Sequence, residues 1–164
     1  MGRRSVKENK SVYQQTREEL GLTREKAAEL IPGFSPERLE KIENGRTQIQ
    51  PDDVMLLAEY YKAPILCNEY CANECPIGRV HALKTEPKEL GQIAVETLNA
   101  LNRMNRSKDR LLEIVEDGQV CPDEYEDFEE IKSVLDKIAL SVANLRLWVN
   151  EQTAEGKLRK PGKE

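Results

Sequence analysis

The feature that most constrains this chain is a pair of short helical patterns separated by a tight turn, within residues 20–45. Thr23 is a good N-cap for the first pattern, which the Pro-Gly pair at 32–33 ends. Ser35 caps the second pattern, and Pro36 suits its first position because the amide hydrogen has no helical acceptor there. The two patterns therefore predict crossed helices with a shared core. The apolar residues expected to close that core are Leu22, Ala27, Leu30, Ile31, Phe34, Leu39 and Ile42.

A specific pattern follows the second helix. The run IENGR at 42–46 leads into a polar loop, Pro51 and another apolar helical pattern. With LGLTREKAAEL at 20–30, this run makes residues 13–70 similar to the Cro/phage-repressor (XRE) family of helix-turn-helix proteins. The resemblance covers somewhat over a third of the chain. It implies a helical domain whose helix from Pro36 enters the major groove of double-stranded DNA.

The resemblance also implies which residues contact DNA. The helix that begins at Arg24 would cross the DNA backbone, while the loop after Gly45 would contact phosphates. Lys41 could donate to guanine, and Glu37 or Glu40 could accept from cytosine. The implied DNA-binding residues are Arg24, Pro36, Glu37, Arg38, Glu40, Lys41, Arg46, Thr47 and Gln48.

The charge distribution opens a second interpretation. Residues 1–64 carry eleven Lys/Arg and eleven Asp/Glu, whereas residues 65–164 carry the whole net charge of −5. DNA affinity depends strongly on contacts between cations and phosphates. A neutral module with two acids on its recognition helix therefore leaves open a protein-interaction adaptor with weak DNA affinity.

Composition favours an all-α protein that is not an enzyme. Aromatic residues make up 5% and charged residues 34% of the chain, which suits amphipathic helices. No apolar run is long enough to span a membrane, and no secretory signal follows the charged N-terminus, so we expect a cytoplasmic protein. The sequence also contains no phosphate-binding glycine loop and no recognisable catalytic set.

Three cysteines recur every fourth residue, at Cys67, Cys71 and Cys75, which places them on one stripe if a helix continues that far. With His81 or Cys121 they are candidates for a metal or iron–sulfur site, although their spacing is not the C-x2-C pair typical of zinc sites. A redox switch and simple packing of small thiols are the alternatives. We predict packing and no cofactor.

The C-terminal half predicts a hairpin of two long antiparallel helices. Apolar residues at spacings of three and four run from residue 87 to residue 116, and a heptad pattern follows the loop around Pro122. The second helix carries more apolar surface than one partner covers, so we predict a homodimer that forms a four-helix bundle. Its predicted interface is Phe128, Ile131, Leu135, Ile138, Val142, Leu145, Trp148 and Val149. The alternative is an intramolecular bundle with the N-terminal domain.

These features predict an N-terminal five-helix helix-turn-helix domain followed by a helical hairpin. The expected divisions are a flexible basic arm at 1–10, the helix-turn-helix domain at 11–78, a linker at 79–86, the hairpin dimerisation domain at 87–155 and a disordered tail at 156–164. The predicted function is sequence-specific regulation of transcription by a dimer, by analogy a repressor, with an unknown effector. A thiol- or metal-responsive regulator that uses the three cysteines is a further alternative.

Overall fold

The structure, a computed structural model, describes residues 10–158. These residues form helices and no strand, which confirms the predicted all-α class. The helices are α1 Val12–Glu19, α2 Arg24–Leu30, α3 Pro36–Glu43, α4 Pro51–Tyr60, α5 Ile65–Asn73, α6 Gly78–His81, α7 Leu90–Ile114 and α8 Tyr125–Ala154. The predicted arm, apart from Lys10, and the end of the predicted tail lie outside the described residues. Among residues 10–158, no helix combines the length and apolarity that crossing a membrane requires.

The described residues divide into two compact units. The first contains the residues up to Lys84 together with those from Val149 onward, and the second is Thr85–Trp148. The division falls inside the predicted linker, but that segment also contains most of the short helix α6. The last part of α8 belongs to the first unit, whereas the sequence assigned it to the hairpin.

The first unit has its core where α1 to α5 meet. Ala27, Ile31, Leu39, Ile42 and Leu57 are all buried there, as the apolar pattern of the two central helices predicts. Burial of this kind contributes about 1.5–3 kcal/mol for each large apolar side chain.

Leu30 does not join this core. It is 52% exposed, and so the expectation that it faces inward is wrong. Leu30 is the last residue of α2, and the chain turns to extended backbone at Ile31, which is buried in its place.

Helix α1 buries one aromatic and two polar side chains. Its buried residues are Tyr13, Gln14 and Arg17, and not a stripe of aliphatic side chains. Ser11 accepts a hydrogen bond from the amide of Gln14 and caps the helix. Gly21 ends it with a φ of +69°, a backbone conformation that glycine adopts without strain.

Helix α6 approaches α5 closely at Gly78. A Cβ atom at this position would lie 2.1 Å from the carbonyl oxygen of Cys71, so only glycine fits. The amide of Gly78 also donates to the Cys75 thiol sulfur at 3.4 Å. This contact fixes the short segment that leaves α5.

The second unit is built on α7 and α8. Two contacts join distant parts of the unit: Arg110 pairs with Asp127 at 2.6 Å, and the amide of Glu86 donates to Asn144 at 3.2 Å. The first pair joins the end of α7 to the start of α8, and the second joins the segment before α7 to the later part of α8, as an antiparallel hairpin requires. The residues buried in this unit are Thr85, Ile93, Ala100, Ile114, Ile131, Val134, Ser141, Asn144 and Leu147.

The residues of the predicted heptad stripe on α8 differ in their exposure to solvent. Ile131 is buried within the hairpin, whereas Phe128, Ile138 and Trp148 are half-buried. The other predicted residues are exposed in the single chain: Leu135, Val142, Leu145 and Val149. The inward face of α8 instead uses Val134 and Ser141, which lie on the neighbouring side of the helix.

Candidate nucleic-acid interface

Helices α2 and α3 are joined by a tight turn, and a side-chain cap fixes the start of each helix. Thr23 accepts from the amide of Lys26, and Ser35 accepts from the amide of Arg38. Gly33, in the turn itself, has a φ of +77°. These local contacts arise directly from the capping residues in the sequence, and they set where α3 begins.

A buried ion-pair network holds the C-terminal end of α3. Arg17 donates from Nε and Nη2 to the two carboxylate oxygens of Glu43, at 2.6 and 2.9 Å. Arg24 donates to the same carboxylate at 2.8 Å, and Arg17 also donates to the carbonyl of Leu22 at 2.6 Å. The Glu43 side chain is only 1% exposed. Burial opposes the charge on Arg17, but the bonds to Glu43 outweigh it and raise the pKa of Arg17.

Arg24 is therefore only partly available to DNA. Its side chain is 31% exposed, and its Nε is engaged by Glu43. The terminal guanidinium nitrogens make no hydrogen bond with any described residue. Contact with a phosphate stays a prediction for this residue, with the guanidinium orientation now set by Glu43.

Arg38 is held from three directions. It donates to both carboxylate oxygens of Asp53 at 2.9 and 2.8 Å and to the carbonyl of Gly33 at 2.9 Å. Its guanidinium also lies 4.9 Å from the centre of the Phe34 ring. The Arg38 side chain therefore links α3 to α4. These contacts compete with the predicted contact between Arg38 and the DNA backbone.

The outward face of α3 carries mixed charge. Hydrogen bonds from the amide of Glu37 and from the Ser35 hydroxyl lower the pKa of Glu37, so its carboxylate stays ionised. Glu40 forms a loose ion pair with Arg46, at 3.8 Å. Lys41 is exposed and makes no ion pair within residues 10–158.

The loop after α3 leaves its polar side chains at the surface. Arg46, Thr47 and Gln48 are exposed, and the amide of Arg46 donates to the carbonyl of Lys41 at 2.8 Å. Ile49 is buried and anchors the loop to the core.

A polar contact between α1 and the end of α5 lies beside this loop. The Tyr13 hydroxyl donates to Glu74 at 2.7 Å. Both residues line a cavity of about 340 Å³ together with Thr47 and Gln48. Burial first, and then the bond to Glu74, raise the pKa of Tyr13.

The cysteine candidates are not brought together. Helix α5 ends at Asn73, before Cys75, so the helix does not continue far enough to place all three cysteines on one stripe. Cys67 is half-buried against the core, whereas Cys71 is exposed. Within residues 10–158, no three His, Cys, Asp or Glu side chains are grouped to hold a metal ion. His81 and Cys121 are both exposed.

Sequence reasoning missed the partners that organise this face. Glu43 and Arg17 are 26 residues apart, Asp53 is 15 residues from Arg38, and Glu74 is 61 residues from Tyr13. The only available signal was the position of Glu43, a charged residue that follows the buried Ile42 on α3 and so lies close to the core.

The comparisons with known proteins agree with this geometry. Residues 14–65 match the family model described as a helix-turn-helix domain, which is roughly a third of the chain. The match confirms the predicted helix-turn-helix class, whose members place a recognition helix in the major groove of DNA. No curated protein and no solved structure matches the chain.

Proposed function

We propose that this protein is a sequence-specific, DNA-binding transcriptional regulator of the Cro/phage-repressor type, a repressor by analogy, that acts as a homodimer. One observation carries the proposal. The segment that matches a helix-turn-helix domain presents α3 and its following loop with Lys41, Arg46, Thr47 and Gln48 exposed on them. These are the side chains that a recognition helix and its loop need for base and phosphate contacts.

The exposed side chains have distinct roles in this proposal. Lys41 donates to the acceptor atoms of guanine, and the ionised Glu37 accepts from the amino group of cytosine. Arg46 exchanges its loose pair with Glu40 for a phosphate. An acid that finds no cytosine repels the DNA backbone, so the same carboxylates penalise wrong sequences.

The proposed dimer rests on an apolar surface of the hairpin. Leu98 and Leu101 on α7, and Leu135 and Val142 on α8, are 40–60% exposed in the single chain. We call these four residues the apolar flank. On each helix these residues lie beside the row of buried residues that faces the other helix. Because the two helices are antiparallel, the four residues fall on the same surface of the hairpin. A second copy related by a two-fold axis would cover it and supply the second DNA-binding module.

An unbiased selection of bound DNA fragments tests the proposal and gives the operator. Lys41→Ala should then weaken binding to the selected site by about 1–3 kcal/mol per half-site while thermal unfolding is unchanged. Lys84→Ala removes an exposed lysine outside the proposed interface and is the matched control. If both variants lose the same affinity for the selected site, Lys41 contributes only general electrostatic attraction to DNA and no specific base contact.

The adaptor interpretation has its own supporting observation. Arg24, Arg38 and Arg46 all make ion pairs with acidic side chains, which lowers the positive charge that this face offers to phosphates. A titration of random-sequence DNA at low salt separates the two functions, because backbone attraction is strongest there. If the protein binds no DNA at low salt, the regulator proposal fails and the adaptor interpretation is favoured.

A further inference from the structure

A polar groove lies between α7 and α8 within the second unit. It measures about 930 Å³, and its lining includes Asn99, Arg103 and Arg106 from α7 and Lys137 and Ser141 from α8. A groove of this size is in the range of small-molecule sites, although it is more open than most.

The charge of the groove differs from that of the unit that contains it. Residues 85–148 hold eight Lys/Arg and fourteen Asp/Glu. Yet three of these cations line the groove with a single acid, Glu96. That acid is already neutralised, because Lys88 pairs with it at 2.9 Å and Gln92 donates to it at 3.0 Å.

The three groove cations have no ion-pair partner of their own. Arg103, Arg106 and Lys137 make no ion pair or hydrogen bond through their side chains with any residue from 10 to 158. Arg103 and Arg106 are one helical turn apart, so their side chains project on the same side of α7. All three are exposed and therefore accessible to a ligand from solvent. A bound anion would be attracted by each of them.

Two of the groove cations lie far around their helices from the apolar flank. Leu101 and Arg103 are two residues apart, which is about 200° of rotation around α7. Leu135 and Lys137 have the same separation on α8. A dimer formed through the apolar flank therefore leaves Arg103 and Lys137 open to solvent, whereas Asn102 and Asn105, one helical turn from Leu98 and Leu101, lie at the border of the dimer surface.

We propose that this groove is a binding site for a small multivalent anion, one that carries phosphate or carboxylate groups. Three cations match a ligand with at least two negative charges. Asn99, Asn102 and Asn105 add amides that donate and accept hydrogen bonds, which suits a ligand with hydroxyl or carbonyl groups beside its charges. All the lining residues belong to the second unit and lie outside the segment that matches a helix-turn-helix domain.

Thermal unfolding of the full chain tests the site with two probes, sodium pyrophosphate and sodium citrate, each against sodium chloride at equal ionic strength. The single tryptophan, Trp148, lies on α8 in the second unit and gives a fluorescence signal from it. A ligand at about a hundred times its Kd should raise the midpoint by about 5–10 °C. Pyrophosphate alone assigns a phosphate ligand, citrate alone a carboxylate, and both a site that selects by charge.

The groove variant Arg103→Gln/Arg106→Gln/Lys137→Gln should lose this shift. The control Lys108→Gln/Lys132→Gln/Arg146→Gln removes the same charge from exposed positions outside the groove and should keep it. Equal shifts in both variants would show general anion screening and overturn the proposal. If neither pyrophosphate nor citrate shifts the midpoint of the wild-type protein, the proposal is overturned as well, whether or not the protein binds DNA.

Discussion

The carboxylate of Glu43 accepts hydrogen bonds from Arg17 and Arg24 inside the helix-turn-helix core. Removing one partner from a buried ion pair leaves the other charge without compensation, which costs more than the pair contributes. The network therefore acts mainly by fixing where the end of α3 lies, and by orienting Arg24.

Glu43→Gln should lower the free energy of unfolding of the first unit by about 3–5 kcal/mol, since it leaves the buried Arg17 without its counterion. Glu40→Gln removes an exposed carboxylate on the same helix and should cost less than about 1 kcal/mol. Urea unfolding followed by circular dichroism measures both. The double variant Arg17→Met/Glu43→Leu should recover most of the loss, and similar costs for Glu43→Gln and Glu40→Gln would contradict this account.

The cysteines on α5 should differ in reactivity. Burial, with a smaller contribution from Cys71, raises the pKa of the Cys67 thiol. Because the thiolate is the reactive form, Cys67 should be alkylated slowly at pH 7, and its rate should rise about tenfold per pH unit below its pKa. Exposed Cys71 should react first. Mass spectrometry after iodoacetamide treatment measures both, and faster reaction at Cys67 would revive the thiol-responsive interpretation.

At the scale of elements, local signals predicted where α2 and α3 begin and where α3 ends. Thr23 and Ser35 cap their helices as expected, and Gly45 ends α3 with a φ of +67°. Such signals act within one turn of chain, so the sequence contains all the information they need.

The inward side of α8 could not be chosen in the same way. Both Val134 and Leu135 are apolar, and either belongs to a row with spacings of three and four. The partner helix decides between them, since Val134 is buried and Leu135 is 45% exposed. Two overlapping apolar rows on one helix indicate two contact surfaces. A heptad pattern read from the sequence alone does not separate the two rows. The Arg17–Glu43 pair was missed for a related reason, because its members are 26 residues apart.

The apolar flank makes a prediction about assembly. Leu98→Gln/Leu135→Gln should convert a dimer to a monomer without unfolding the hairpin, because both side chains are already exposed in the single chain. Val95→Gln changes another exposed apolar residue of α7 outside the flank and should leave the dimer intact. Light scattering at micromolar concentration measures the change. A wild-type monomer, or a double variant that is still dimeric, would exclude this interface.

At the scale of the whole molecule, assembly and DNA binding are linked through salt dependence. The chain has a net charge of −5, so long-range attraction to DNA is weak, and the local contacts of each module must supply the affinity. Each phosphate contact adds about 0.9 to the negative slope of log K against log salt concentration. The slope therefore counts the contacts that a complex makes.

Arg46→Ala should reduce that slope by about 1.8 in the dimer, because each of two modules loses one phosphate contact. In the Leu98→Gln/Leu135→Gln background the same substitution should reduce it by only about 0.9. Arg46 is 70% exposed on a surface loop, so its removal should leave folding unchanged. Binding measured from about 50 to 200 mM salt gives both slopes. An equal reduction in the two backgrounds would mean that one module alone contacts DNA, and the dimer would then serve another purpose.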